Sequence, residues 1–501
     1  MDQYNDNQRE TSEVTLEVLL DSIVADSRRG TLPDDTVITA ITADSRQVVP
    51  GALFVAVRGV EVDGHRFIGK AIEAGAAAVV AEELPDSLPE GVAGIVVSES
   101  RVALGHLASR FYGDPSDELT LVGVTGTNGK TTIATLLYEM ARMRGLKAGL
   151  LSTVANIIDT TSIPAEHTTP DAVMLNRLLR QMVDAGCTFA SMEVSSHAAD
   201  QHRIAGLTFA GGIFTNLTRD HLDYHKTFDA YLQAKKSFFD MLPPEAFALT
   251  NADDRNGEVM LQNTAARPRA TYSVRDLADF RVRPVEERID GMLLDFDGTQ
   301  VETRFVGRFN ASNLAAVYGA AILLGVPRED VLIYMSRLVP VAGRFQPFRS
   351  ADGVTGIVDY AHTPDALINV LDTIRDVAGD ARVITVCGAG GNRDNGKRPL
   401  MARAAAERSD VVILTSDNPR NEDPVAILDE MAAGLDHSQR ARTEIIVDRA
   451  EAIRHAVAIA PPGDVILLAG KGHETTQTIG DRVLHFDDRE EISRELAARG
   501  K

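Results

Sequence analysis

The sequence predicts an α/β protein whose strands form parallel, doubly wound sheets. At residues 121–145 an apolar strand, a glycine-rich turn and an amphipathic helix follow one another directly. Further apolar segments, each ending in a polar loop, recur through the middle and the last part of the chain. Helical segments separate these strands, as expected when helices cover both faces of a parallel sheet.

Composition narrows the class of protein. A chain of 501 residues is long enough for about two to four domains, each with its own core. The fractions of hydrophobic residues (44%) and charged residues (25%) are those of an ordinary globular protein. The net charge of −21, from 72 acidic and 51 basic residues, argues against general binding to nucleic acids or anionic membranes, which need basic surfaces.

Neither cysteine chemistry nor membrane insertion is indicated. Cys187 and Cys387 are the two cysteines, and their wide spacing predicts small buried residues rather than a disulfide framework or a zinc site. No apolar run reaches about 18 residues, and the start MDQYNDNQRETSE lacks the apolar region of a signal peptide. We therefore expect a cytosolic protein without a spanning helix.

The first domain is predicted to cover residues 1–114. VITAITADSRQVVPGALFVAV predicts two strands joined by a polar turn at Asp44, Ser45 and Arg46. AIEAGAAAVVAEE and a final helix in RVALGHLASRFYG complete a small α/β unit. The run GDPSD at residues 113–117 is typical of a linker and marks the boundary.

The stretch LVGVTGTNGKTT at residues 121–132 is typical of a phosphate-binding loop. Apolar residues at helical spacing in residues 133–140 give the following helix one buried face. The start of that helix carries unpaired N–H groups and partial positive charge, which suit a polyphosphate. Lys130 would reach the β- and γ-phosphates, and the Thr131 hydroxyl would hold Mg²⁺. The loop is a variant of the Walker pattern, since Val124 stands where that pattern has glycine.

Two further strands of the central domain end in chemically capable side chains. TFASMEVSSH ends its strand with Glu193, and FAGGIFTNLTRDHLDYH ends its strand before Thr215, Asn216, Asp220 and His221. Ligands of open parallel sheets bind outside the carboxyl ends of the strands, so these loops are expected to converge on the phosphate-binding loop. A carboxylate in that position can serve Mg²⁺ directly or through water.

The central domain is predicted to end at residue 344. Alternating segments such as MLLDFDG and TRFVGRF between residues 266 and 307, with a turn at Asp297-Gly298, predict antiparallel strands. RFNASNLAAVYGAAILLG predicts a helix that ends before Gly325. The breakers in PVAGRFQPF then mark the second boundary.

Residues 345–501 predict a Rossmann-like domain. ARVITVCGAGGNR, DVVILTSDNPR and DVILLAGKGHE are apolar strands that run into loops rich in Gly, Asn, Asp, Arg or Lys. They indicate a second doubly wound sheet with a ligand crevice at its carboxyl edge. Two crevices on one chain suggest two substrates that are brought together.

Two classes of activity fit this layout. In a ligase, ATP phosphorylates a carboxylate, and an amine bound by another domain attacks the acyl phosphate. In an NTP-driven switch or motor, the flanking domains bind partners through apolar or basic surfaces. The cleft-like polar loops favour the ligase.

Short motifs in these loops resemble one known family. TGTNGKTT, EVSSHA, TNLTRDHLDYH, FNASN, GRF, DYAHTPD, GAGGNRDNGKRP, DNPR and GKGHE occur in that order. The set resembles the Mur ligase family of peptidoglycan synthesis from Asp44 to about Glu490. Within the family it is most similar to the enzymes that add meso-2,6-diaminopimelate to UDP-N-acetylmuramoyl-L-alanyl-D-glutamate. Lysine-adding relatives share nearly every motif, whereas folylpolyglutamate synthase shares the phosphate-binding loop but not DNPR.

The resemblance implies an ADP-forming amide ligase of cytoplasmic peptidoglycan synthesis. Its three domains would bind UDP, ATP and the incoming amino acid, in chain order, with a central ATP-binding parallel sheet. ATP and two Mg²⁺ ions are the implied cofactors. The implied partners are the UDP-linked dipeptide and the amino acid alone, and we expect a monomer.

The resemblance also implies roles for individual residues. The expected ATP-binding residues are Gly126, Thr127, Asn128, Gly129, Lys130, Thr131, Thr132, Asn313, Arg344 and Asp359. The UDP group would contact Ser45, and the muramoyl dipeptide would contact Thr168, Thr169, Ser195, Gln201 and Arg203. The expected diaminopimelate-binding residues are Arg393, Asp417, Asn418, Pro419, Arg420, Gly470 and Glu474. The expected catalytic residues are Lys130, Glu193, His221 and Lys235. His362 matches a family motif without an assigned role.

The metal sites implied by the resemblance involve a modified lysine. One Mg²⁺ would be held by Thr131 and Glu193, and a second by His221 and Lys235. Lys235 lies in FDAYLQAKKSFFDML, at the family position that CO₂ converts to N6-carboxylysine. Carbamylation turns a cation into an anionic oxygen ligand, which suits Mg²⁺. Lys236 is expected to be an ordinary solvated charge on an amphipathic helix.

The DNPR motif bears on which amino acid is added. On its own, DNPR could equally be a turn in which Pro419 fixes φ. Diaminopimelate differs from lysine by one distal carboxylate, which Arg420 can bind in a bidentate manner while Arg393 adds a second positive contact. Glu474 would pair with the distal ammonium. We therefore expect diaminopimelate to be preferred over lysine.

Overall fold

The computed structural model describes residues 14–30, 32–33, 35–59, 62–165, 167–218 and 222–499. The chain separates into two compact units, residues 1–271 and 272–501, and each unit is described by itself. The three domains with boundaries at residues 114 and 344 stay a prediction.

The first sheet of the first unit has five strands in the order β1–β5–β4–β3–β2. Its strands are parallel except β1, which is antiparallel to β5. The strands are β1 (Ser27–Gly30), β2 (Ile41–Thr42), β3 (Leu53–Val55), β4 (Ala78–Ala81) and β5 (Ala93–Val96). The helices are α1 (Leu16–Leu20), α2 (Ile68–Glu73) and α3 (Ser100–Phe111), with a 3₁₀ helix at Gly64–Phe67. The predicted strand, turn and strand around Ser45 are confirmed by β2 and β3.

The predicted linker at residues 113–117 overlaps a 3₁₀ helix, Pro115–Glu118, in which Pro115 and Ser116 are buried. Ser116 Oγ accepts a hydrogen bond from the Thr208 backbone N–H at 3.0 Å. Asp114 accepts hydrogen bonds from Ser109 and Arg110 of the preceding helix. These contacts fix the segment against its neighbours, although its Gly, Asp and Pro content is that of a loop.

The second sheet of this unit carries the phosphate-binding loop. Its strands are β6 (Thr120–Thr125), β7 (Ala148–Leu151), β8 (Asn156–Ile158), β9 (Thr161–Ile163), β10 (Phe189–Glu193), β11 (Gly211–Phe214) and β12 (Phe247–Asn251). The order is β12–β11–β6–β10–β7–β8–β9, with β12 to β7 parallel. The helices are α4 (Lys130–Met143), α5 (Ala172–Asp184), α6 (Ser196–Asp200), α7 (Leu222–His225), α8 (Phe228–Asp240) and α9 (Gly257–Leu261). Strand β6 therefore lies inside the parallel sheet, between β11 and β10.

Strand β13 (Arg269–Ser273) crosses the division between the units and departs from the prediction for residues 266–307. The strands β14 (Phe280–Arg288), β15 (Gly291–Phe296) and β16 (Thr299–Thr303) are antiparallel as predicted. The segment TRFVGRF is not a strand, because β16 ends at Thr303 and a helix begins at Arg308. Tyr272 and Ser273, however, pair with β14 in parallel. Ser273 Oγ accepts hydrogen bonds from the backbone N–H groups of Arg275 and Asp276 at 3.0 and 2.7 Å. The chain therefore turns out of β13 before the alternating pattern begins.

The second unit contains the predicted second doubly wound sheet, in the order β17–β18–β22–β19–β20–β21. Its strands are β17 (Gln346–Arg349), β18 (Thr355–Asp359), β19 (Val383–Cys387), β20 (Val411–Leu414), β21 (Thr443–Ile445) and β22 (Val465–Ala469), and β23 (Thr476–Ile479) and β24 (Arg482–His485) form a separate hairpin. The helices are α10 (Arg308–Leu323), α11 (Arg328–Arg337), α12 (Pro364–Ala378), α13 (Arg398–Arg408), α14 (Pro424–Ala432), α15 (His437–Arg440), α16 (Arg449–Ile459) and α17 (Asp488–Ala498), with a 3₁₀ helix at Asn395–Lys397. All strands of the six-stranded sheet are parallel except β17.

Both faces of this sheet are covered. In β18, Ile357 packs into one hydrophobic core and the next residue, Val358, into the other. Leu467 and Leu468 of β22 divide in the same way. Successive side chains of a strand point to opposite faces, so a strand buried on both sides needs a continuous apolar run. This is why VILLA, rather than an alternating pattern, forms the strand.

A buried ion pair joins α16 to α17 in the second unit. Arg449 donates two hydrogen bonds to Asp488, at 2.7 and 2.6 Å, and both side chains are fully buried. We predict that Asp488→Asn lowers the free energy of unfolding by about 3–5 kcal/mol, because it leaves a buried guanidinium without its counter-charge. Glu490→Gln is the control, because its pair with His485 is exposed and worth at most about 1 kcal/mol. Urea unfolding followed by circular dichroism checks this, and equal effects of the two substitutions would contradict it.

A second prediction concerns the buried carboxyl group of Asp359 at the end of β18. Burial raises its pKa from 3.8 to about 6, against the opposing effects of Arg344 and of the backbone N–H groups of Phe345 and Ala361. Between these pH values the folded chain keeps a proton that the unfolded chain releases, so stability falls as pH rises toward about 6.

The shift in this pKa from 3.8 to about 6 corresponds to about 3 kcal/mol between the two ends of the window. Asp359→Asn has no such proton to lose. We therefore expect the variant to gain stability relative to the unmodified protein as pH rises from about 4 to about 7, measured by urea unfolding at several pH values. Parallel pH profiles for the two proteins would rule this out.

Candidate functional site

The phosphate-binding loop joins β6 to α4. Helix α4 begins at Lys130 after Gly129, whose φ is 90°. Gly126 has a φ of 148°, and a Cβ there would lie 1.8 Å from Thr215 Oγ1. No other residue fits at this point, so the glycine allows the neighbouring loop to approach. The backbone N–H groups at the start of α4 form the anion-binding end of the helix.

The loop after β11 braces the phosphate-binding loop. Thr215 Oγ1 donates to the Asn128 carbonyl at 2.6 Å, and the Asn216 side chain accepts from the Asn128 N–H at 2.9 Å. The Thr127 N–H donates to the Asn216 carbonyl at 2.8 Å. The predicted convergence of these two loops is therefore confirmed for Thr215 and Asn216. The other two residues predicted for this loop are Asp220 and the expected metal ligand His221. Both lie outside the described residues.

Glu193 is the last residue of β10, and its side chain reaches the first turn of α4. Its Oε1 accepts hydrogen bonds from the Thr131 hydroxyl at 2.8 Å and from the Thr153 N–H at 2.7 Å. Glu193 is 1% exposed, so these donors compensate a buried carboxylate. Thr153 also donates to the hydroxyl of Thr168 at 3.0 Å. The strand-end carboxylate and the loop hydroxyl predicted to share Mg²⁺ are thus brought together.

This donor set fits Mg²⁺. Among the described residues, no group of three or more His, Cys, Asp or Glu side chains could hold a metal ion. Mg²⁺ in nucleotide sites usually takes only one or two protein oxygens and completes its shell with water and phosphate oxygens. The Thr131 hydroxyl and the Glu193 carboxylate are such oxygens.

Two lysines reach the same carbonyl of the phosphate-binding loop. The ammonium groups of Lys130 and Lys235 donate to the Gly126 carbonyl at 2.9 and 2.7 Å. Lys235 is 1% exposed and lies 4.6 Å from the centre of the Tyr231 ring. Tyr231 in turn is 3.0 Å from Thr127 Oγ1 through its hydroxyl. Two cations at one acceptor repel each other, and a carbamate on Lys235 would replace this repulsion with attraction.

The expectation that Lys236 is solvated is wrong. Lys236 is buried and forms an ion pair with Asp240 one helical turn later. Helix α8 packs against α6, α7 and α9, so its buried face is wider than one stripe. Lys236 therefore runs along the packed surface and reaches its counter-charge at the edge.

Residues expected to bind the dipeptide form a connected network beside Glu193. Thr169 Oγ1 donates to the Glu193 carbonyl at 2.8 Å and accepts from the Ser195 N–H at 3.2 Å. Arg203 donates to the Thr169 carbonyl at 2.8 Å and to the side-chain carbonyl of Gln201 at 2.8 Å. Glu193 therefore links these residues to α4, because its backbone carbonyl binds Thr169 and its carboxylate binds Thr131.

Ser45 lies apart from this network, in the turn after β2. Its neighbours Asp44 and Arg46 form an ion pair at 2.7 Å. The Arg46 guanidinium hydrogen-bonded to Asp44 lowers the pKa of that carboxyl group. Asp44 also accepts a hydrogen bond from the Arg46 backbone N–H at 2.9 Å, across Ser45.

Asn313, Arg344 and Asp359 belong to the second unit. Asn313 lies on α10 and donates to Asn310 at 3.2 Å. Asp359 accepts a hydrogen bond from the Phe345 N–H at 2.7 Å, which ties the GRF motif to the end of β18. Arg344 lies over the ring of Tyr360, 4.6 Å from its centre.

Tyr360 connects the GRF and GKGHE motifs of this unit. Its ring lies 5.0 Å from that of His473, in the GKGHE motif, and 4.7 Å from that of His362. Burial raises the pKa of Tyr360 to about 12, and the charge of Glu474 adds to this rise while that of Arg344 opposes it.

The loops that carry the residues expected to bind diaminopimelate interlock. The Gly391 N–H donates to the Asn418 carbonyl at 2.9 Å, and Arg420 Nη1 donates to the Gly391 carbonyl at 2.9 Å. A Cβ at Gly391 would lie 1.8 Å from the Pro419 carbonyl oxygen. Arg420 has a φ of 53°, so it occupies a conformation that is uncommon for residues other than glycine.

Side chains of both charges lie in these loops and around Tyr360, where the charges of Glu474 and Arg393 both act. A Cβ at Gly390 would lie 3.0 Å from Arg420 Nη1 and 3.7 Å from Arg393 Cγ, so both arginines flank that glycine. Asn418 donates to Glu474 at 2.8 Å. The remaining residues of the set lie beside them, where Gly470 donates from its backbone to the Asp359 carbonyl and Asp417 accepts from Gln477 at its own carbonyl.

Sequence reasoning missed Thr153, Tyr231 and Tyr360. Tyr231 stands four residues before Lys235, which places the two side chains on one face of α8. Tyr360 directly follows Asp359 inside a quoted motif. Thr153 contributes a backbone N–H, for which the sequence carries no signal.

Three family domains match the chain. Residues 37–112 match the Mur ligase family catalytic domain, residues 124–321 the Mur ligase middle domain, and residues 343–472 the Mur ligase glutamate ligase domain. The predicted three-domain Mur ligase architecture is thereby confirmed.

The chain is also similar to curated and solved proteins named UDP-N-acetylmuramoyl-L-alanyl-D-glutamate–2,6-diaminopimelate ligase. The protein of that name from Bacteroides fragilis is 59% identical over 457 residues, which cover 91% of this chain and 94% of the relative. That from Parabacteroides distasonis is 60% identical over 460 residues, 92% and 94% of the two chains. A solved structure of that name aligns with a TM-score of 0.70 at 33% identity, over 98% of this chain and 100% of the other. From these matches, the chain belongs to the Mur ligase family.

Proposed function

We propose that the protein catalyses the ATP-dependent addition of meso-2,6-diaminopimelate to UDP-N-acetylmuramoyl-L-alanyl-D-glutamate, a step of peptidoglycan precursor synthesis. The observation that carries the choice of amino acid is the charge arrangement of the crevice in the second unit. Arg393 and Arg420 flank Gly390, while Asn418 and Glu474 are hydrogen-bonded to each other. Two cations and an anion suit an amino acid with a second ammonium and a second carboxylate. The names of the two bacterial relatives agree with this assignment.

The first chemical step is phosphoryl transfer to the substrate carboxylate. A carboxylate oxygen attacks the γ-phosphorus of ATP, the bond to the β,γ-bridging oxygen breaks, and ADP leaves with that electron pair. Two anions must meet for this, so Lys130 and the N–H groups at the start of α4 are proposed to neutralise and align the phosphates. The network of Thr169, Ser195 and Arg203 beside Glu193 is proposed to hold the dipeptide for attack.

The second step forms the amide bond. The unprotonated amine of diaminopimelate attacks the carbonyl carbon of the acyl phosphate, phosphate leaves with the C–O electron pair, and the nitrogen loses a proton. Asp417, Asn418, Arg420 and Glu474 are proposed to hold the amino acid, together with Gly470. Water must be excluded, because it would hydrolyse the acyl phosphate.

Mg²⁺ supplies charge neutralisation for the phosphates when bound. One ion would be held by Thr131 and Glu193, which already share a hydrogen bond of 2.8 Å. A second would be held by His221 and by Lys235 as its carbamate. Asn313, Arg344 and Asp359 are proposed to contact the nucleotide.

The remaining proposals concern the domains, the cellular location and the oligomeric state. We propose a UDP-binding domain over residues 1–114 with Ser45 at the UDP group, a central domain over residues 115–344 and an amino-acid-binding domain over residues 345–501. We also propose a cytoplasmic monomer. In the described part of the chain, no helix is both long and apolar enough to span a bilayer.

Phosphate release tests the proposed reaction. The protein is incubated with ATP, Mg²⁺ and the UDP-linked dipeptide, and diaminopimelate or lysine is added. We expect release that requires both the dipeptide and diaminopimelate. Phosphate release that is indifferent to both would favour an NTP-driven switch. Release that requires the dipeptide and occurs with lysine but not with diaminopimelate would identify a lysine-adding ligase.

Lys235 carries the first prediction from this mechanism. Lys235→Ala is expected to reduce turnover nearly to zero, because the anionic oxygen ligand is lost, and short carboxylates such as formate should partly restore it. Lys236→Ala is the matched control, since the adjacent lysine is also buried but pairs with Asp240. Steady-state phosphate release measures both variants. Full activity in Lys235→Ala, or an intact mass without the added carboxyl group in bicarbonate, would overturn the carbamate.

The second prediction from this mechanism concerns Arg420. Arg420→Ala is expected to raise KM for diaminopimelate roughly ten- to a hundredfold, because a charge-assisted contact worth about 1.5–3 kcal/mol is lost. Alanine has the same steric limits as arginine at a φ of 53°, so backbone strain is unchanged. Arg403→Ala is the control, since Arg403 is exposed and donates to the Gly434 carbonyl at 3.1 Å. Similar kcat/KM values for lysine and diaminopimelate in the unmodified protein would refute this role.

A further inference from the structure

A buried lysine lies beneath the amino-acid crevice. Lys471 follows β22 in the GKGHE motif and is 0% exposed. Its ammonium donates to the Thr476 carbonyl at 2.6 Å, to Glu474 Oε2 at 3.3 Å and to Asn418 Oδ1 at 3.5 Å. A cation withdrawn from water is costly unless it is paired and hydrogen-bonded. Each acceptor therefore belongs to the environment that keeps Lys471 charged inside the protein.

Lys471 also determines how Asn418 is oriented. The side-chain oxygen of Asn418 accepts from the Thr478 N–H at 2.9 Å and from Lys471. Its side-chain nitrogen donates to Glu474 Oε2 at 2.8 Å. Reversing this amide would place an NH₂ group against two donors and an oxygen against a carboxylate. The ammonium and the Thr478 N–H thus leave Asn418 only one favourable orientation.

The same ammonium holds Glu474 by one oxygen. Oε2 of Glu474 receives both Lys471 and Asn418, whereas Oε1 accepts no hydrogen bond from the residues that the structure describes. The side chain is 29% exposed, so it is anchored at one oxygen and still reaches solvent. A carboxylate in this state can bind an incoming ammonium without first giving up a protein contact.

We propose that Lys471 is a positioning residue for the incoming amino acid, which acts by fixing Glu474 and Asn418. This inference rests on the proposed function, because it assumes that these two residues contact the amino-acid substrate. Lys471 itself does not touch the substrate. Its loss would leave Glu474 and Asn418 each with one donor fewer, so the crevice would lose preorganisation before substrate arrives.

The test compares Lys471→Met with Lys147→Met. Lys147 is an exposed lysine of the first unit whose ammonium also donates to a backbone carbonyl, that of Ala185 at 2.8 Å. We expect Lys471→Met to raise KM for diaminopimelate roughly ten- to a hundredfold. KM for ATP should stay within about twofold, because the side chains that Lys471 holds belong to the proposed amino-acid site. A general distortion of the protein would change KM for both substrates. An unchanged KM for diaminopimelate in folded Lys471→Met would overturn the proposal.

A double-mutant cycle with Glu474→Gln separates positioning from general destabilisation. If Lys471 acts through Glu474, the double variant should have a KM for diaminopimelate close to that of the single variant with the higher KM. The second change would then remove little more. Fold-changes that simply multiply would overturn the proposal. Circular dichroism checks folding, and Lys471→Gln, which keeps a donor for Thr476 but no charge, enters the cycle if Lys471→Met does not fold.

The unmodified protein distinguishes failure of the two proposals. If it ligates lysine instead of diaminopimelate, the proposed function is wrong as to substrate, and the same cycle run with lysine decides the role of Lys471. If calorimetry detects no binding of either amino acid and no ligation occurs, both proposals are overturned.

Discussion

Charged side chains that leave water at the carboxyl ends of parallel strands impose the main constraint on this structure. Glu193 ends β10, Asp359 ends β18, and Lys471 lies just beyond β22. Each is nearly or fully buried, and a buried charge needs partners from elsewhere in the chain. Glu193 receives them from Thr131 and the Thr153 N–H. The loops above each sheet are therefore arranged to supply counter-charges and donors as much as to form clefts.

Much of this arrangement could be predicted from the sequence because its signals are local. A strand buried on both faces favours a continuous apolar run, and LVGV and VILLA each consist of apolar or small residues. A phosphate-binding loop requires glycines and a following helix, and both are contiguous in TGTNGKTT. Ligand-binding residues follow strand ends in the chain, so Glu193, Thr215 and Asn216 could be assigned to one place before the structure was known.

The rest could not be predicted because it depends on contacts between distant segments. Lys471 and Asn418 are 53 residues apart, and nothing near either residue indicates that they meet. Lys236 was misjudged because helical periodicity does not report how many neighbours a helix has, and α8 has three among α6, α7 and α9. The run GDPSD has the composition of a linker, yet Ser116 is buried and accepts a hydrogen bond from the N–H of Thr208, which is 92 residues away in the sequence.

The interlocked loops of the crevice have a consequence for how specificity can change. Gly391 lies so close to the Pro419 carbonyl that a Cβ would be 1.8 Å from it, and Arg420 is held by the Gly391 carbonyl. Neither loop can be lengthened, shortened or given a larger residue at this contact without displacing the other. Under the proposed function, the choice of amino acid therefore depends on two separate sequence segments together. If only one of the two segments were replaced by that of a relative, the residues that hold Arg420 would change and Arg420 itself would shift.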